Sequence, residues 1–114
     1  MTIFHITNQR QWQLAQAQGF YTTESLMQEG FIHGSTAAQV PTVLAAFYQG
    51  KTDLVLLEIE PTLLEAELKW EAPVHPSGQS TDTIADTEKF PHIYGTINLN
   101  AVIRVHDLSP SYPV

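Results

Sequence analysis

The chain contains no cysteine, which excludes disulfides, thiolate nucleophiles and cysteine zinc sites and leaves any redox chemistry dependent on a cofactor. Positive charge is also scarce, with five Lys and Arg against twelve Asp and Glu for a formal net charge of −7. Such a balance repels polyanions unless the cations gather in one patch. Arg10, Lys51, Lys69, Lys89 and Arg104 are scattered along the sequence, so nucleic acid is not an expected partner, and neither is an anionic membrane surface. Apolar runs long enough to span a bilayer are missing. The start, MTIFHITNQR, lacks the basic, apolar and small-residue regions of a secretory leader, so the chain reads as cytoplasmic. Glycine-rich phosphate loops are absent as well, because Gly34 and Gly95 stand alone.

What remains is the composition of one compact domain, with 114 residues of which 43% are hydrophobic. Residues 2–6 alternate as a strand with His5 in its middle. Asn8 is a good N-cap for an amphipathic helix carrying Trp12 and Ala15 and stopped at Gly19. Residues 25–30 suggest a loop or single helical turn, and Phe31 to His33 a second strand ending at Gly34. Ser35 or Thr36 can cap a helix over Ala37 to Gln49, with Pro41 in its first turn or splitting it, and Gly50 closing it. DLVLLEIE (53–60) suits a central strand covered on both faces, ELKWE (67–71) a short edge strand, and AVIRVHD (101–107) a final strand. Residues 72–89 form one long polar loop, FPHIYGTI (90–97) is extended or turning, and the tail should fray. The order is that of an α+β domain covering 1–114, without internal repeats.

Histidine is the side chain best able to exchange a proton near neutrality. A single strand histidine is most simply explained by a carbonyl it satisfies in the core, but His5 and His33 recur in matching settings, FHIT and IHGS, which favours a shared site. His92 stands among Pro91, Tyr94 and Gly95, a dense group of hydrogen-bonding and conformationally special residues that could equally be a polar turn. His75 and His106 read as surface residues. Three imidazoles can bind zinc or iron, but none of these has the tight spacing that specifies a metal site, and no metal is expected. Glu58 and Glu60 share a face at the end of their strand, where Glu58 could orient a ribose hydroxyl and solvation explains Glu60. Glu67 and Glu71 flank Trp70 as a second carboxylate pair.

FHIT, EGFIHGST, FYQG, DLVLLEIE, KWE and FPHIYGTINLNAVIRV together resemble, nearly end to end, the bacterial family known as domain of unknown function 952. That resemblance implies the fold of the ADP-ribosyltransferase superfamily, a split mixed β-sheet with two or three helices and an NAD cleft between half-sheets. The RNA 2′-phosphotransferases look like the nearest branch, and the likeness puts His5 at a first-strand position and His33 with Ser35 at a His-x-Ser position. A superfamily glutamate is implied near FPHIYG, where this segment offers His92 and Tyr94 but no acid. The expectation is an NAD or ADP-ribose cleft able to transfer or hydrolyse ADP-ribose, with His5, His33 and His92 at its chemical centre. Thr7, Gly34, Ser35, Thr36, Glu58, Tyr94 and Gly95 would contact the ligand. Two other readings are a non-catalytic binding or regulatory module of the same fold and a metal-dependent hydrolase using the same histidines.

Overall fold

The structure is a computed structural model and describes residues 1–72 and 88–108. His75, most of the polar loop and the C-terminal tail lie outside them. Among the described residues are β1 (Ile3–Asn8), α1 (Gln9–Gln18), β2 (Phe20–Tyr21), α2 (Glu24–Glu29), β3 (Ile32–His33) and α3 (Val40–Phe47). Then come β4 (Leu54–Ile59), β5 (Glu67–Glu71), β6 (Phe90–Tyr94), β7 (Ile97–Asn98) and β8 (Val102–Asp107), with 3₁₀ turns at Pro61–Leu63 and Leu99–Ala101. This is a small α+β single domain. No described helix is long and apolar enough to cross a membrane.

Two three-stranded sheets, ordered β1-β4-β8 and β3-β6-β5, are accompanied by a β2-β7 pair. Every strand pairing among the described residues is antiparallel, where the resemblance implied a mixed sheet. The two larger sheets meet at one bridge, in which Phe4 N donates to Ser35 O at 2.7 Å and Ser35 N to Phe4 O at 2.8 Å. The division is physical: beyond Ser35 the chain turns into α3, so β3 leaves β1 after a single paired residue. Ile3, Leu57 and Ile59 from one sheet and Ile32 and Ile93 from the other are fully buried in a common core, against which Trp12 and Ala15 of α1 pack.

Local chemistry explains the boundaries. Asn8 caps α1 by accepting from Gln11 N at 2.7 Å, and Gly19 ends it with a left-handed φ of 94°, as the sequence suggested. Residues 24–29 form a helix because the Thr23 hydroxyl caps Leu26 N at 3.3 Å. α3 begins at Val40, later than expected, since Thr36 and Gln39 bond each other reciprocally: Gln39 N to Thr36 Oγ1 at 3.2 Å and Thr36 N to Gln39 Oε1 at 2.9 Å. That is a capping box across a turn preceding the helix.

Candidate functional site

Residues opposite each other on neighbouring strands share a face. His5 lies opposite Leu57, and this places its ring on the core side of β1. Its Nδ1 lies 2.6 Å from the His33 carbonyl, which can only accept, so Nδ1 carries the proton. Nε2 is then the acceptor for the Tyr21 hydroxyl at 2.7 Å. The hydroxyl is held in turn by Thr7. Burial lowers the His5 pKa from 6.5 to about 4, with the bond to His33 and the charge of its ring as lesser influences. His5 is therefore neutral at physiological pH with both ring nitrogens engaged by protein. It fixes β3 to β1 and aims Tyr21, whose own pKa burial raises.

On β3 and β6, His33 stands opposite His92, with ring centroids 5.6 Å apart at 75°. Phe31 stacks on His92 at 4.1 Å and meets His33 edge-on at 4.9 Å. Half-exposed His33 reaches Glu29 at the end of α2 through Nε2 at 2.6 Å. His92, 1% exposed, sends Nδ1 to Glu71 Oε1 at 2.8 Å, and the Tyr94 hydroxyl donates to the same oxygen at 2.5 Å. Hydrogen bonds from Tyr94 and then His92 hold the Glu71 carboxyl below its usual range. Burial lowers the His92 pKa despite the facing carboxylate. The consequence is a neutral imidazole oriented by a carboxylate on Nδ1, with Nε2 left as the basic nitrogen.

A cleft of about 670 Å³ opens along the division between the sheets, lined by His5, His33 and His92 together with Thr7, Gly34 and Ser35. Ser35 is 5% exposed, and its hydroxyl has no hydrogen-bond partner among the described residues. Gly34 is required there, because a Cβ would lie 2.9 Å from the Pro91 carbonyl oxygen. Thr36, Glu58, Tyr94 and Gly95 do not line the cleft. Thr36 is committed to the turn before α3. Glu58 pairs with Phe4 in register, on the face opposite His5. There its carboxylate is occupied by His106 at 2.9 Å, Thr2 at 3.1 Å and, at 3.9 Å, Arg104. Tyr94 acts through Glu71, and Gly95 makes room for Ala66, against whose Cβ a side chain would lie at 2.8 Å.

The carboxylate that meets His92 and Tyr94 belongs to the neighbouring strand, as Glu71. Glu71 was visible as one of a carboxylate pair, but pairing it with residues 90–94 needs the register of two strands that lie far apart in the sequence, which no local pattern records. Tyr21 was equally hidden, since two residues of β2 are too short to show alternation. Among the described residues, no group of three or more His, Asp or Glu side chains is arranged to hold a metal ion.

The family model for proteins of unknown function DUF952 matches residues 6–105. The crystal structure of protein CC0527 from Caulobacter crescentus is similar, at 31% identity and a TM-score of 0.76, over 94% of this chain and 85% of that one. The solution NMR structure of CC0527 gives 31% identity and a TM-score of 0.73, over 95% and 84%. No curated protein matches the chain.

Proposed function

The chain belongs to the DUF952 family, and from that premise we propose that it binds NAD or another ADP-ribose-containing nucleotide in the cleft between its two three-stranded sheets. The observation that carries the proposal is the oriented His92: an imidazole in the cleft wall, backed by Glu71 and Tyr94 and 5.6 Å from the His33 ring. The resemblance to ADP-ribosyltransferase-like folds supports the same reading, since a divided sheet with a histidine in its first strand and a His-x-Ser segment in the facing strand is its pattern. The cleft fits such a ligand chemically. Ser35 has a hydroxyl without a partner among the described residues, His33 and His92 line the cleft, and a volume of about 670 Å³ lies within the range of small-ligand pockets.

The ligand supplies an N-glycosidic bond whose cleavage builds positive charge on the ribose. Glu71 is positioned to place a negative field beside it through His92, as carboxylates do when they stabilise developing charge. His33, backed by Glu29, is the more exposed imidazole and the better placed to exchange a proton with solvent. His5 is assigned the positioning of β3 and Tyr21.

Titrating NAD and ADP-ribose into protein with ¹⁵N-labelled histidine tests the reading. The expected result is movement of the His33 and His92 ring signals with His106 unmoved. No movement of either at millimolar ligand would overturn it.

A further inference from the structure

Besides the histidines, the cleft is lined by the end of α3 and the turn into β4. Val43, Phe47 and Tyr48 give it an apolar surface, and Lys51, Thr52 and Asp53 form its rim. This turn is rigidly built. Lys51 N donates to Tyr48 O at 3.1 Å, closing a four-residue turn whose third residue, Gly50, has φ 82°, the left-handed conformation that a type II turn demands there. Asp53 is left-handed too, at φ 55°, and its carbonyl accepts from Gln9 N at 2.9 Å, anchoring the turn to α1.

Lys51 is held at the rim by that backbone, yet its ammonium has no ion pair and no hydrogen bond among the described residues. Among the cleft-lining residues it is the sole Lys or Arg, and Glu24 and Asp53 are the acids. In a chain of net charge −7, a lysine left unpaired beside a ligand-sized cleft is a poor contributor to stability and a good receptor for an anion. Tyr48, whose hydroxyl pKa is raised by burial, lines the same cleft as Lys51, His5 and Tyr21.

We infer that Lys51 is the phosphate-binding residue of the cleft, with the Tyr48 side of the wall contacting the adjoining sugar or base. A single cation in the lining suits a ligand with few phosphates and disfavours more highly charged polyanions. The inference rests on the nucleotide reading of the cleft and adds the polarity with which the ligand lies in it: phosphate towards α3, ribose towards His33 and His92.

Calorimetric titration of ADP-ribose and of adenosine into the wild type, Lys51→Ala and Lys51→Arg separates the possibilities. Lys51 is exposed, so both variants should fold as the wild type does, which circular dichroism checks. Removing a charged hydrogen-bond donor at a partly solvated site should weaken ADP-ribose binding about tenfold in Lys51→Ala, with Lys51→Arg retaining most of it and adenosine affinity unchanged. Equal ADP-ribose affinity in wild type and Lys51→Ala overturns the Lys51 assignment and leaves the nucleotide reading standing. Equal losses for ADP-ribose and adenosine also overturn it, since Lys51 would then act on the wall and not on phosphate. A wild type that binds neither probe removes the nucleotide reading, and the Lys51 assignment with it.

Discussion

A proton arriving at His5 has to displace the Tyr21 hydroxyl from Nε2 and charge a ring that is 7% exposed. Burial therefore keeps the folded-state pKa at about 4, while the unfolded chain takes up the proton near 6.5. Between these values the unfolded state binds more protons, so this contribution to stability is complete above about pH 6.5 and is lost as the pH falls towards 4, amounting to ~3 kcal/mol over the window. The lowered pKa of His92 acts in the same direction. Urea unfolding at about pH 7 and about pH 5 should thus show the wild type losing roughly 2 kcal/mol more than His5→Asn, which keeps a donor for the His33 carbonyl but cannot titrate. Identical losses in the two proteins would contradict the assignment. His92 makes a different prediction: Glu71→Gln takes the carboxylate from Nδ1 and from the Tyr94 hydroxyl, so the His92 pKa should fall further, read by NMR titration, with the fold intact because Glu71 is partly exposed. The sequence made both histidines candidates, but the roles diverge for a reason no local pattern carries. His5 faces the core beside Tyr21, whereas His92 faces a carboxylate brought in by another strand.

Elements with strong local signals were legible. Asn8 and Gly19 bracket α1 as caps do, and the apolar run of β4 is central because β1 and β8 cover its two edges. Among the two-residue strands, β3 was legible in FIHG, whereas β2 and β7 are defined by their partners. Gly34 shows how such a partner imposes itself. Its N–H donates to Pro91 O at 2.9 Å, and a methyl group would strike that same oxygen and Pro91 Cγ, at 2.9 and 3.2 Å. Gly34→Ala should destabilise the protein by about 1–3 kcal/mol, the usual cost of overpacking against backbone. By pushing β3 from β6 it should also separate His33 from His92. Thermal unfolding gives the first effect, and loss of nuclear Overhauser contact between the two rings the second. A stable variant with unchanged ring contacts would show that β6 yields instead.

At the scale of the molecule, the two sheets share a core but, among the described residues, only one bridge, Phe4 to Ser35, reinforced by the bond from His5 to the His33 carbonyl. His5→Ala removes the reinforcement and leaves the bridge. Native-state hydrogen exchange should then quicken at the Ser35 amide by about tenfold or more, with the Leu57 amide in the middle of β4 shifted only by the global loss of stability. Uniform acceleration would mean that the two halves open together. The divided sheet could be reached from sequence only through family resemblance, because β1 and β4 pair across about fifty residues and no periodicity records that.

The junction has a mechanical meaning as well. Pulled apart across it, the sheet would tear between β1 and the residues after β3 while β1-β4-β8 and β3-β6-β5 kept their ladders, as paper parts along a perforation. The cleft follows that line, so anything lodged in it and gripped from both sides becomes a strut, and the force needed to part the halves measures how firmly it is held.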